Sequence, residues 1–155
     1  SAGVGTGIDE NVMDCYGAII SYYEPGDRIC LFGFSRGAYT VRALANVLNL
    51  CGVPTQGGDG GPIPRYGPPL RAIAEHAVRR IYNHGAGSSR AAYEEEREKL
   101  AGRFRDRYRS NGVGADDESQ GNVQPYFIGV FELSLRWEAA LPRWLFSVPS
   151  RFSHP

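Results

Sequence analysis

The sequence lacks an apolar run of the length that crosses a lipid bilayer. A membrane-spanning helix needs roughly 20 mostly apolar residues, and the apolar runs of this chain are much shorter. The charged-then-apolar start of a secretory signal peptide is also missing, although the chain opens on Ser1 and its single methionine is Met13. We therefore predict a soluble protein without a membrane span. Its location stays open between the cytoplasm and secretion by a route that needs no signal peptide.

An excess of charge of either sign is lacking too. The 17 Lys and Arg residues balance 17 Asp and Glu residues, so the formal net charge is zero. Such a chain has no general attraction to nucleic acid or anionic lipid. The arginine-rich stretch over residues 97–109 contains interspersed acidic residues, which is typical of a solvated helix face. We therefore predict no nucleic-acid partner.

The sequence has few cysteines and no spacing typical of a metal site. Neither C-x-x-C nor H-E-x-x-H occurs. Cys15, Cys30 and Cys51 are an odd number of cysteines, which favours buried free thiols over a disulfide framework. We predict neither a metal site nor a cofactor.

The pattern of apolar residues predicts an alternation of helices and buried strands. The predicted helices cover residues 8–23, 38–50, 69–84 and 89–109, and the predicted strands cover residues 28–34 and 123–131. A glycine-rich loop is expected over residues 1–7, and a long irregular loop over residues 52–69 with six glycines and five prolines. This order predicts an α/β fold with a parallel sheet. Because two strands do not make a stable sheet alone, we expect the chain to be part of a longer domain.

The stretch LFGFSRGAYTVRALA, residues 31–45, places a serine in a G-x-S-x-G frame. This frame becomes specific where a buried strand enters it and a helix leaves it, and the sequence predicts both. Gly33 and Gly37 lack Cβ atoms, so the strand and the helix can approach closely around Ser35. Ser35 is therefore the predicted nucleophile, and the backbone N–H of Arg36 is a predicted oxyanion donor. The alternative is a tight turn without chemistry.

Several stretches resemble one protein family closely. GVGTG, YEPGDRI and LFGFSRGAYTVRALA resemble the α/β-hydrolase domain of the type VI secretion phospholipase effectors, a bacterial and fungal family, and PYFIGVF resembles its next core strand. The resemblance covers residues 3–131. It implies a partial three-layer α/β-hydrolase sandwich with a helical insertion, and a serine esterase or phospholipase that cleaves acyl esters. The implied partner is a lipid or another ester substrate, which could be met at a membrane surface. The oligomeric state stays open.

The acid of the catalytic triad has one candidate. In α/β-hydrolases an acid follows the serine along the chain and a histidine follows the acid. The resembled family carries its acid directly after the core strand, where this sequence has Glu132. Leu133 and Ser134 replace the Thr-Val that flanks the acid in the family. A surface glutamate at the end of a strand is therefore the alternative interpretation of Glu132.

The triad base has no good candidate. His76 and His84 precede Glu132 and so break the expected chain order, and His154 lies next to the last residue. The histidine motif of the resembled family is absent. We therefore expect little or no catalysis from this chain.

Residues 132–155 depart from the family pattern, so we predict a partial hydrolase domain over residues 1–131 followed by a divergent tail. Codons that specify residues 135–139 can also be read in a shifted frame as Ala-Ala-Leu-Gly-Gly, which is similar to how the family continues. We expect the tail to be out-of-frame peptide, and a real divergent tail is the alternative. For the chain as a whole, the alternative to a serine hydrolase is a non-catalytic, degenerate hydrolase-fold fragment or an interaction module.

Overall fold

A computed structural model describes residues 3–110 and 124–131. Helix α1 spans Gly3–Tyr22, strand β1 spans Cys30–Phe34 and helix α2 spans Arg36–Cys51. Helix α3 spans Gly67–Glu75 and continues directly into a π-helical segment, His76–Tyr82. A short 3-10 helix, Arg90–Tyr93, leads into helix α4, Glu94–Tyr108, and strand β2 spans Phe127–Phe131.

The two strands form a small parallel sheet. Cys30 lies opposite Phe127 at one end of the pairing, and Phe34 lies opposite Phe131 at the other. The predicted mixture of helices with a parallel sheet is therefore confirmed. Parallel neighbours cannot be joined by a tight turn, and the described part of the connection between β1 and β2 contains α2, α3, the π-helical segment, the 3-10 helix and α4.

The two faces of the sheet have different surroundings. Leu31 and Gly33 are buried on the face that packs against α2. The opposite face carries four phenylalanines, which we call the phenylalanine face: Phe32, Phe34, Phe127 and Phe131, with exposed fractions of 65%, 62%, 49% and 43%. The rings of Phe32 and Phe127 lie 5.4 Å apart and cover Gly129 from solvent. In the described part of the chain, the first face is thus packed at β1, while Ile128 and Val130 of β2 stay exposed on it. The phenylalanine face is apolar and accessible.

Most of the core is formed between helices rather than on the sheet. Each helix contributes a stripe of apolar side chains to one cluster, as its spacing of apolar residues predicts. Its largest fully buried side chains are Val12, Met13, Tyr16, Ile20, Val47, Leu48, Cys51, Val53, Val78, Ile81 and Phe104. Tyr16 on α1 also donates its hydroxyl hydrogen to the backbone carbonyl of Gly52, at 2.7 Å, so a buried polar bond joins α1 to the end of α2.

Ion pairs at the surface tie α1 to the third helix. Arg71 on α3 pairs with Glu10 and Asp14 of α1. The guanidinium nitrogens of Arg79, in the π-helical segment, lie 2.6 Å from a carboxylate oxygen of Glu10 and 2.7 Å from one of Glu75. Because single exposed ion pairs contribute little to stability, we attribute the packing of these helices mainly to their apolar contacts.

The predictions for the loop over residues 1–7 and for two of the three cysteines are wrong. Helix α1 begins at Gly3, so the expected loop over residues 1–7 is helical in its described part. Each glycine lowers helix stability by about 1 kcal/mol relative to alanine, which is why a loop was expected. The helix nevertheless extends to Gly3, because each residue added to a helix that is already formed gains one backbone hydrogen bond. Cys15 and Cys30 are exposed, and only Cys51 is the buried free thiol that the composition predicted. Burial raises the pKa of the Cys51 thiol far above its usual value.

The long loop and the helix ends follow the sequence pattern more closely. Gly52 ends α2, with its N–H donating to the carbonyl of Leu48 at 2.9 Å. Residues 52–66 contain no helix and no named strand. Gln56 and Pro62 form an isolated antiparallel bridge, and Val53 is also a bridge residue. Ser89 precedes the 3-10 helix rather than an α-helix, and its side chain makes no capping hydrogen bond.

None of the helices in the described ranges combines the length needed to cross a bilayer with a sufficiently apolar composition.

The buried bond of Tyr16 gives a stability prediction. Replacing Tyr16 by Phe leaves the Gly52 carbonyl without its hydroxyl partner in a buried site, so the free energy of unfolding should fall by about 1–3 kcal/mol. Tyr22→Phe is the matched control, because Tyr22 lies on the same helix and is 83% exposed; its effect should stay within about 0.5 kcal/mol. Urea denaturation measures both variants, and equal effects would contradict the assigned role of the bond.

Candidate active site

Ser35 lies between the last residue of β1 and the first residue of α2, and it is exposed. Its backbone has φ of 54° and ψ of −117°. A positive φ in a residue that carries a Cβ atom is strained, at a cost of about 1–3 kcal/mol. Such strain persists only where the surrounding structure imposes it, and it is concentrated at functional sites.

Two backbone hydrogen bonds impose this conformation. The N–H of Ser35 donates to the carbonyl of Phe131 at the end of β2, at 2.8 Å. The carbonyl of Ser35 accepts the N–H of Ala38 in the first turn of α2, at 2.9 Å. The serine is therefore held from the sheet on one side and from the helix on the other.

The start of α2 provides backbone donors beside Ser35. The first N–H groups of an α-helix have no carbonyl partner within the helix. Since the N–H of Ser35 is already bonded to Phe131, the next donors are those of Arg36 and Gly37. Arg36 is exposed at the first helical position. The positive end of the helix dipole lies at the same place and favours a developing negative charge.

Gly33 is required by the close approach of β1 and α2. A Cβ atom at this position would lie 2.4 Å from the carbonyl oxygen of Gly37 and 2.8 Å from Cγ2 of Val41. These distances are far below van der Waals contact, and the first neighbour is backbone, which cannot rotate away.

Gly37 has a different role in the same contact. A Cβ atom at Gly37 would meet nothing within 4 Å among the described residues. Gly37 therefore contributes its backbone to the contact with Gly33. A side chain at residue 37 would not disturb this contact, because the space around its Cβ position is open. Sequence reasoning treated the two glycines alike.

The predicted acid, Glu132, lies outside the described residues, as does His154. Glu132 directly follows Phe131 along the chain, and Phe131 is the residue whose carbonyl binds the N–H of Ser35. Sequence reasoning identified the strand that ends at Phe131 but missed this bond. No sequence signal gives it, because it depends on the register of the parallel pairing.

His76 lies in the π-helical segment and packs against α4. Its ring lies 5.3 Å from that of Phe104 and 6.4 Å from that of Tyr108, edge to face in both cases. Burial lowers the pKa of its imidazole below the usual value, and the positive charges of Arg107 and Arg80 lower it further. No contact joins His76 to Ser35 in the described part of the chain.

His84 follows the π-helical segment and also contacts the α4 side of the molecule. Its Nε2 atom lies 3.1 Å from a carboxylate oxygen of Glu96 without forming a hydrogen bond. Its ring packs edge to face against Tyr93 at 5.6 Å. Within residues 3–110 and 124–131, no histidine side chain contacts Ser35.

The arginines of α4 are more buried than the sequence predicted. Arg97 is only 8% exposed and donates to the backbone carbonyl of His84 at 2.7 Å. Arg105 is partly buried and binds the carbonyl of Leu50 and the carboxylate of Glu98. The prediction of a solvated helix face is therefore wrong for these two side chains, which join α4 to its neighbours.

Over the described ranges, the structure brings no three His, Cys, Asp or Glu side chains into an arrangement that could hold a metal ion.

Comparison with known proteins identifies the family. The model of the family of T6SS phospholipase effectors, Tle1-like catalytic domain, matches residues 1–137 of this chain. Because this match covers most of the sequence, the chain belongs to that family.

A curated relative matches a shorter part of the chain. The uncharacterized protein YEL023C of Saccharomyces cerevisiae is 42% identical over 50 residues, which is 32% of this chain and 7% of the yeast protein. The match therefore spans a small part of that relative's length. A search of the solved structures gave no significant match.

The Gly33 contact gives a second stability prediction. Gly33→Ala introduces a Cβ atom against the backbone of Gly37, so we expect the free energy of unfolding to fall by about 3 kcal/mol, at the upper end of overpacking costs. Gly37→Ala is the matched control, since it places the same methyl group in open space at the start of α2. Its stability should stay unchanged or rise by up to about 1 kcal/mol. A Gly33→Ala protein as stable as the parent in urea would disprove the close approach.

Proposed function

We propose that this chain carries the nucleophile elbow of a serine hydrolase of the esterase or phospholipase type. The elbow belongs to a partial α/β-hydrolase domain, the three-layer sandwich that the resemblance implies. The observation that carries the proposal is the strained backbone of Ser35 at an exposed strand-to-helix turn. A serine in that position presents its Oγ atom above the carboxyl edge of the sheet. The family's description as phospholipase effectors supports a lipid ester as the substrate.

The proposed chemistry is acyl transfer to Ser35. The Ser35 Oγ atom attacks the ester carbonyl carbon, its proton passes to a base, and the carbonyl oxygen becomes an oxyanion. Collapse of this tetrahedral intermediate breaks the bond to the leaving alcohol, which takes up the proton. Water then releases the carboxylic acid and restores Ser35. Backbone N–H groups at the start of α2, with Arg36 first, would stabilise both oxyanions.

The groups that activate the serine are the incomplete part of the site. Glu132 is the proposed acid, because it directly follows the strand whose last carbonyl binds Ser35. His76 and His84 make their ring contacts with α4 and with Tyr93, which supports our expectation that neither is the base. Loss of a triad member typically lowers the rate by several orders of magnitude. We therefore propose that this chain alone hydrolyses esters weakly or not at all.

The alternative is a non-catalytic interaction module on the same fold. The observation that favours it is the placement of His76 and His84 away from Ser35. Under this alternative, Ser35 is an ordinary turn residue and its hydroxyl has ordinary reactivity. The two proposals therefore differ in the reactivity of one oxygen atom.

Labelling with a fluorophosphonate probe tests this difference. An oxyanion hole retains part of the rate enhancement even without a complete triad, so Ser35 should be labelled at least about tenfold faster than the exposed Ser88 of the same chain. Peptide mass spectrometry gives both rates in one sample. Ser35→Ala should remove the fast labelling, and Ser88→Ala should leave it unchanged. Equal rates at Ser35 and Ser88 in folded protein would favour the non-catalytic module.

A further inference from the structure

A groove lies at the opposite end of α2 from Ser35. Three segments form it: the loop that follows α2, the start of α3 and the end of α4. Its volume is about 460 Å³, which is within the usual range for small-molecule sites. Its apolar lining comes from three prolines of the loop and α3, together with Ile73 and Tyr108. Since α2 has 16 residues, about 24 Å of helix lies between Ser35 and the start of the loop that forms one wall of the groove.

The walls of the groove are joined by backbone hydrogen bonds. The N–H groups of Thr55 and Gln56 both donate to the carbonyl of Tyr108, at 3.0 and 3.1 Å. The N–H of Gly57 donates to the carbonyl of Gly61 at 2.8 Å, which closes the tip of the loop. The groove is therefore a defined part of the fold and not a gap beside a loose loop.

One cation and one anion line this groove. The guanidinium group of Arg107 lies against the loop: a Cβ atom at Gly58 would be 2.7 Å from its Nε atom and 2.9 Å from Nη2. Asp59 uses one carboxylate oxygen to accept the N–H of Gly61, at 2.9 Å. Neither side chain forms an ion pair with the other, or with any other side chain of the described residues. The groove thus presents two opposite charges, each with capacity for a further partner.

We infer that the groove binds a small zwitterion that carries a phosphate and a primary ammonium, the chemistry of phosphoethanolamine. The planar guanidinium of Arg107 matches the oxygens of a phosphate as a two-pronged donor. The remaining oxygen of Asp59 accepts hydrogen bonds from an ammonium. The short carbon linker lies against the prolines and Ile73. The same head group can come from a soluble molecule or from the surface of a phospholipid bilayer.

Titration of the full 155-residue chain with phosphoethanolamine tests the inference. Two-dimensional NMR should show saturable shifts of the Gly58 and Gly61 amides and of the Arg107 Nε–H. Arg107→Gln and Asp59→Asn should each weaken binding at least about tenfold. Arg103→Gln is the matched control, because this exposed arginine lies one turn earlier on α4 and outside the groove. It should leave the affinity unchanged.

Further probes test the contributions of Arg107 and Asp59 separately. Ethanolamine and inorganic phosphate should each bind at least about tenfold more weakly than phosphoethanolamine, since each engages one charge only. Ala72→Trp fills the groove without changing its charge and should abolish binding. Affinity that survives both Arg107→Gln and Asp59→Asn would overturn the proposal, and so would inorganic phosphate that binds as tightly as phosphoethanolamine.

Vesicles distinguish the two sources of the head group. Co-sedimentation with phosphatidylethanolamine vesicles, but not with phosphatidylcholine vesicles, supports a site for a bilayer lipid. Binding of the soluble probe without co-sedimentation supports a site for a free small molecule. The inference does not depend on the proposed function, and Ser35→Ala should bind phosphoethanolamine normally. Failure at either site is therefore recognisable by itself.

Discussion

The close approach of β1 and α2 at Gly33 is the constraint on which the elbow depends. The backbone of Gly37 occupies the space that a side chain at residue 33 would fill. The chain must therefore reverse direction within very few residues, and Ser35 takes up the strain as a positive φ. The same approach brings the N–H of Ser35 to the end of β2. A glycine two residues before the serine thus determines how sheet, helix and serine meet.

Much of this arrangement could be predicted from the sequence, because it rests on local chemistry. The G-x-S-x-G frame and the apolar run before it placed Ser35 between a strand and a helix, and the glycines and prolines of residues 52–69 placed a long loop after that helix. What depends on packing could not be predicted: the bond from Ser35 to Phe131, the exposure of Cys15 and Cys30, and the start of α1 at Gly3. The π-helical segment also has no local signal, since its residues have ordinary helical preferences.

The placement of the histidines shapes the functional interpretation. The strained backbone of Ser35 lowers the stability of the fold. Backbone strain of this kind is concentrated at functional sites, where it is part of the chemistry. The ring of His76 contacts Phe104 and Tyr108 of α4, and the ring of His84 contacts Tyr93. The family to which the chain belongs and the strained turn at Ser35 both support the proposal of Ser35 as nucleophile.

The phenylalanine face has a consequence for the protein in solution. Four aromatic rings on one accessible sheet surface form the kind of patch that drives association. Salts such as sulfate or phosphate strengthen apolar burial, so colloidal stability of the chain should be better in dilute chloride than in concentrated sulfate. The net charge of zero gives no long-range repulsion to oppose such contacts. A pH away from the isoelectric point, which restores a net charge, would therefore favour purification.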